Sequence, residues 1–141
     1  MKVVINAPTG LTKGRVILLK PGIRHRILIV EDDESCAAMY RRALRFSGFD
    51  VDIAADGLTA LVTLEQRRPD LVVLDLSLPH LDGQSVLTEI TSRPDLHDIP
   101  VVIVTGSDAT FAASDAAAVL RKPCDPDRLV EIIAHQLDPA A

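Results

Sequence analysis

Residues 71–83 read LVVLDLSLPHLDG. Four apolar residues, Leu71–Leu74, stop at an acid, Asp75, and a polar loop with Pro79 and Gly83 follows. So short an apolar run, bounded by turn residues, predicts a strand buried on both faces, as in the middle of a parallel sheet. The pattern recurs on either side. Ile27–Val30 (ILIV) ends at Glu31 and Asp32, and Val101–Val104 (VVIV) ends at Thr105. Phe49, Val51 and Ile53 alternate with Asp50 and Asp52, which predicts a half-exposed edge strand. A fifth short strand is expected at Val119-Leu120, just before Lys122-Pro123.

Between these runs the spacing turns helical. From about Ser35 to Phe46, Cys36, Tyr40, Ala43 and Leu44 share one face while Arg41, Arg42 and Arg45 point to water, and Gly48 supplies the stop. Asp56-Gly57 opens a second helix to about Arg68, closed by Pro69, and a third runs near Gln84–Thr91. Asp125-Pro126 gives a cap and a first-turn proline for a last helix to about Leu137. Strands alternating with helices predict an α/β fold: a doubly wound, five-stranded parallel sheet with helices on both faces. Ligands in such folds sit at the carboxyl ends of the strands, which is where Glu31, Asp32, Asp75, Thr105 and Lys122 collect.

Composition narrows the function classes. The 141 residues suit one core, and 48% hydrophobic with 25% charged residues is a globular mixture. The longest apolar runs are far too short for a membrane span, and no signal-peptide stretch opens the chain, so a cytoplasmic protein without a membrane partner is expected. Two cysteines without paired spacing exclude a disulfide scaffold, and His25, His80, His97 and His135 share no ligand spacing. Residues 1–26 hold six of the 15 basic residues and no acid, leaving 9 against all 20 acids, a net −11, on the remainder. That remainder would repel phosphates, which argues against nucleic acid as a partner. Residues 1–25 are expected to be a basic extension, either disordered or a hairpin of Val3–Ile5 with Val16–Leu19. The folded domain is expected over 26–138 and a tail over 139–141.

Three carboxylates converging on one edge repel each other unless a cation joins them. A hard divalent ion such as Mg²⁺ takes one or two carboxylates, waters and a phosphoryl oxygen. A nearby lysine and threonine add a fixed positive charge and a hydroxyl donor, so the set matches what a phosphoryl group needs. A carboxylate can itself be the nucleophile and become an acyl phosphate. No glycine-rich phosphate loop of the Walker type is present.

VEDDE after ILIV, LVVLDLSLPHLDG, VVIVTG and LRKP, in this order over residues 26–137, resemble the receiver domain of two-component response regulators. The resemblance implies a flavodoxin-like sheet of order 2-1-3-4-5 and a phosphorylation-dependent switch or phosphorelay protein rather than an enzyme. It implies Asp75 as phosphoacceptor, served by a histidine kinase or histidine phosphotransfer protein, with a downstream protein target and a homodimer among the partners. It also implies Mg²⁺ on Asp32 directly, on Glu31 through water, on Asp75 and on the backbone carbonyl of Ser77. Thr105 becomes the switch hydroxyl, Lys122 the phosphoryl-pairing lysine, and Lys122-Pro123 a cis bond. A stand-alone receiver is the expectation.

Three departures stand out. Val119 occupies the position of the family's aromatic switch residue, 106–118 is short for a crossover and predicts a short fourth helix, and residues 1–25 have no counterpart in a minimal receiver. Three other functions compete: a flavodoxin-like cofactor binder, for which one tyrosine and no tryptophan offer little to stack on a flavin ring, a pseudo-receiver that binds protein without phosphate, and a phosphatase of the haloacid dehalogenase type. The last generally needs a second acid where this chain has Ser77.

Overall fold

Each helix among the described residues begins on an aspartate whose carboxylate accepts a free amide of the first turn, the commonest way to satisfy those donors. Asp33 accepts from Cys36, Asp56 from Thr59, Asp82 from Ser85 and Asp125 from Asp127. A computed structural model describes residues 3–6, 15–18, 24–106 and 115–138. Its elements are β1 (Val3–Asn6), β2 (Arg15–Leu18), β3 (Arg26–Val30), α1 (Glu34–Phe46), β4 (Asp50–Ala54) and α2 (Gly57–Gln66). They continue as β5 (Leu71–Leu74), α3 (Gly83–Ser92), β6 (Val101–Thr105), β7 (Ala118–Arg121) and α4 (Pro126–Leu137).

Strands β3 to β7 form one parallel sheet in the order β4-β3-β5-β6-β7, the doubly wound 2-1-3-4-5 arrangement. Its central strands are buried along their length, as unbroken apolar runs require. On one face Leu28, Val72 and Ile103 pack with Ala60 and Leu64 of α2 and Val86, Leu87 and Ile90 of α3. On the other, Ile29, Val73 and Val102 pack with Tyr40 and Leu44 of α1 and Leu129 and Ile133 of α4, and Cys36 and Cys124 sit partly buried at that core's margin. Strand β4 is half-exposed, as its alternation predicts. Separately, β1 and β2 pair antiparallel.

The foot of the sheet is held by charge. Arg24 meets Asp50 at 2.9 Å, Arg67 meets Asp52 at 3.6 Å, and the Arg26 amide donates to Asp70 at 2.7 Å. Arg24 and Arg26, counted within the basic stretch 1–26, therefore contact acids of the folded body. Helix α2 ends two residues before the expected Arg68, because Arg67 has left helical geometry and Arg68 precedes a proline. Gly48 stops α1 at φ 98°, and the Lys122-Pro123 bond is cis, as expected. Of the segment 106–118, where a short fourth helix is expected, residues 107–114 lie outside the described residues. No helix among the described residues is long and apolar enough to cross a membrane.

Candidate functional site

The register of β3 on β5, Val30 beside Leu74, puts the two residues that follow side by side at the carboxyl edge. The ladder carries them one step further: Asp75 N–H donates to the Val30 carbonyl and Glu31 N–H to the Ala54 carbonyl, both at 3.0 Å. Glu31 and Asp75 are consequently buried, while Asp32 is exposed at the mouth. Lys122 leaves the end of β7 with its amide on the Thr105 carbonyl at 3.1 Å. Its ammonium reaches across to Glu31 Oε1 at 2.5 Å and Asp75 Oδ2 at 3.0 Å. The remaining oxygens are also engaged: Glu31 Oε2 accepts the Asp33 amide at 3.2 Å, and Asp75 Oδ1 accepts the Ser77 amide at 3.1 Å. Thr105 is buried at the end of β6.

The electrostatics follow from burial. Desolvation raises the Glu31 carboxyl above the usual glutamate range; Lys122 and the Asp33 amide pull it back, and the Asp75 charge pushes it up. Burial on its own would depress the Lys122 ammonium, but the hydrogen bonds and charges of Glu31 and Asp75 outweigh it and raise the lysine well above its ordinary range. Burial raises both the Cys36 and the Cys124 thiol above the ordinary cysteine range, which disfavours their thiolates.

Glu31, Asp32 and Asp75 bring one oxygen each to within 4.8 Å of one another. One ammonium balances these three acids incompletely. An all-oxygen donor set, open at its exposed member, fits a hard divalent cation that keeps part of its water shell. An open recess of about 360 Å³, lined by Asp32, Glu34, Ala37, Arg41 and Ile53 among others, leads to Glu31. Thus Glu31, Asp32, Asp75 and Lys122 form one cluster with Thr105 at its strand end, and exposed Ser77 holds Asp75 through its amide.

Gly83 is a residue whose role the sequence reading missed. A Cβ there would lie 2.2 Å from the Asp75 carbonyl oxygen and 2.4 Å from the Leu76 Cα, so α3 starts flush against the backbone of Asp75. The available signal was the repeated Asp-Gly pair, 56–57 and 82–83, at two helix starts where a cap alone demands no glycine.

A family model for the response regulator receiver domain matches residues 27–134. The chain belongs to that family. Response regulator MprA of Mycobacterium sp. (strain KMS) is 39% identical over 113 residues, covering 78% of this chain and 48% of MprA. The receiver domain thus spans about half the length of the curated relatives it matches. The Mn(2+)-bound form of response regulator Rcp1 is 31% identical, with TM-score 0.72 over 81% of this chain and 95% of that one. The phosphorylated cyanobacterial phytochrome response regulator RcpA is 32% identical, with TM-score 0.72 over 84% and 97%.

Proposed function

We propose that this receiver domain is a phosphorylation-dependent switch or relay protein in which Asp75 takes a phosphoryl group from a phosphohistidine of a sensor kinase or phosphotransfer protein. The observation that carries the reading is the seat of Asp75, with Lys122 at 3.0 Å and one carboxylate oxygen within 4.8 Å of those of Glu31 and Asp32. A carboxylate oxygen of Asp75 attacks phosphorus; the O–P bond forms as the N–P bond breaks, and the departing imidazole nitrogen keeps the electron pair and takes a proton from solvent. Lys122 offsets the charge carried by the phosphoryl oxygens, and Thr105 supplies a hydroxyl at the end of β6. Glu31, Asp32, Asp75 and the Ser77 carbonyl would hold Mg²⁺, which when bound supplies further charge neutralisation. The domain is then an acceptor that assists its own phosphorylation and dephosphorylation rather than an enzyme with a separate substrate, and it acts in the cytoplasm.

Incubation with acetyl phosphate and Mg²⁺ followed by intact-mass measurement tests this. A phosphate adduct on the wild-type chain that is absent from Asp75→Ala is expected. No adduct with any phosphodonor would instead favour a phosphate-independent pseudo-receiver. Val119 favours that second reading: an aliphatic side chain, 37% exposed, stands where an aromatic ring would follow the switch hydroxyl.

A further inference from the structure

The loop that carries the phosphoacceptor, residues 75–83, folds back on itself. Leu81 N–H donates to the Pro79 carbonyl at 2.8 Å, and Gly83 N–H to the Leu76 carbonyl at 3.0 Å. Its outer side rests on α2, a helix whose residues supply none of the carboxylates or the lysine of the site. A Cβ on Gly57 would lie 2.1 Å from the Leu81 carbonyl oxygen and 2.8 Å from the Leu81 Cβ. The nearest contact is with backbone, so no rotamer change relieves it.

The preceding residue makes a second, independent contact with the same loop. Asp56 Oδ1 accepts the Thr59 amide at 2.7 Å and caps α2, while Oδ2 meets His80 Nδ1 at 3.3 Å. His80 has φ 68°, a left-handed conformation uncommon outside glycine that persists only where its surroundings hold it. Two consecutive residues of α2's start therefore grip two consecutive residues of the loop. Between that grip and Asp75 lies Ser77, whose amide holds Asp75 Oδ1 at 3.1 Å.

From this juxtaposition we propose that the start of α2 is a clasp. Gly57 and the Asp56–His80 contact are positioning residues that set where loop 75–83 lies, and hence how Asp75 and Ser77 face the acidic cluster. The proposal deepens the phosphoacceptor reading and rests on it for its functional meaning. Its structural content can be measured separately.

The test compares Gly57→Ala with Leu64→Ala, a cavity in the buried face of the same helix. Amide hydrogen exchange of the metal-free chain and Mn²⁺ affinity by titration are read well below each variant's Tm. Gly57→Ala is expected to speed exchange of the Ser77 and Gly83 amides and to weaken Mn²⁺ binding by about tenfold or more, the usual size of an outer-shell effect. Leu64→Ala is expected to lower Tm while leaving both readouts at wild-type values. Gly57→Ala with wild-type amides and affinity, or Leu64→Ala shifting both equally, overturns the clasp. If Gly57→Ala fails to fold, Asp56→Ser keeps a capping oxygen but loses the His80 contact, and an unchanged loop in that variant overturns it too. Faster loop exchange in Gly57→Ala with no acetyl phosphate adduct on the wild-type chain would support the clasp and count against the phosphoacceptor reading.

Discussion

Lys122 lies beyond β7, two strands from β5 and three from β3, yet its ammonium binds both buried carboxylates of the site. Replacing it with Met keeps the stem and leaves Glu31 and Asp75 without their cation. Removing one partner of a fully buried pair costs ~3–5 kcal/mol. The Lys122 side chain keeps 26% of its surface in water, so a loss on the order of 2 kcal/mol is expected in metal-free urea melts. The pH dependence has a definite sign. The folded pKa of Lys122 lies above its ordinary 10.5, so its contribution is fully present below that value and is lost only as pH rises through the higher folded one. The gap between wild type and Lys122→Met should hold constant from neutral pH to about 10. Glu31 is raised above 4.5, so the folded state favours its proton. In the variant it loses its counter-charge, and the stability gap should shrink in acid as Glu31 takes up that proton. A gap that widens on acidification would contradict this placement of the charges.

At the scale of elements, the four aspartate caps give a prediction separable from the site. Asp82 accepts the Ser85 amide at 2.8 Å and starts α3 directly after the loop that follows Asp75. Asp82→Ala should cost ~1 kcal/mol of stability and Asp82→Asn much less, because asparagine caps nearly as well. Urea melts of both variants check this, and equal losses would mean that the aspartate's charge, not its cap, is what stabilises the helix. The elements themselves were legible for a physical reason. Strands covered on both faces must be apolar throughout, so ILIV, LVVL and VVIV could be little else, and each stops where the chain meets water. The chemistry at those stops was legible as a set, since successive strand ends of a doubly wound sheet converge. What escaped notice depends on close approach between segments distant in sequence. Gly57 and Gly83 look like ordinary helix starts until the Leu81 and Asp75 carbonyls are placed against them. His80 is a surface residue, and its contact with Asp56 was not legible because the left-handed turn that brings the two together leaves no mark in the sequence. The partners of Arg24 and Arg26 were not legible for a similar reason: net charge groups neighbours in sequence, whereas Asp50 and Asp70 meet them only once the sheet is formed.

Over the whole molecule, charge is sorted by the ends of the sheet. In a parallel α/β fold every helix that follows a strand begins at that strand's carboxyl edge. The four capping aspartates therefore stand at the same edge as Glu31, Asp32 and Asp75. At the opposite edge Arg24 pairs with Asp50, Arg67 and Arg26 lie beside Asp52, and Asp70 accepts the backbone amide of Arg26. Helix dipoles offset part of the charge of the caps, but among the described residues Glu31, Asp32 and Asp75 have a single lysine among them. The folded state should therefore bind a divalent cation at that edge far better than the unfolded chain, whose carboxylates are scattered. Binding to the folded form alone adds RT ln(1 + [L]/Kd), ~2.7 kcal/mol when the ion stands 100-fold above its Kd. MgCl₂ should accordingly raise Tm further than NaCl does at matched ionic strength. Simple screening relaxes the general repulsion equally with either salt. Asp32→Asn removes one exposed donor without emptying the core, so it should abolish most of the Mg²⁺ increment while leaving the NaCl melt near that of wild type. Equal melts in the two salts, or an undiminished increment in Asp32→Asn, would place the cation elsewhere than between Glu31, Asp32 and Asp75.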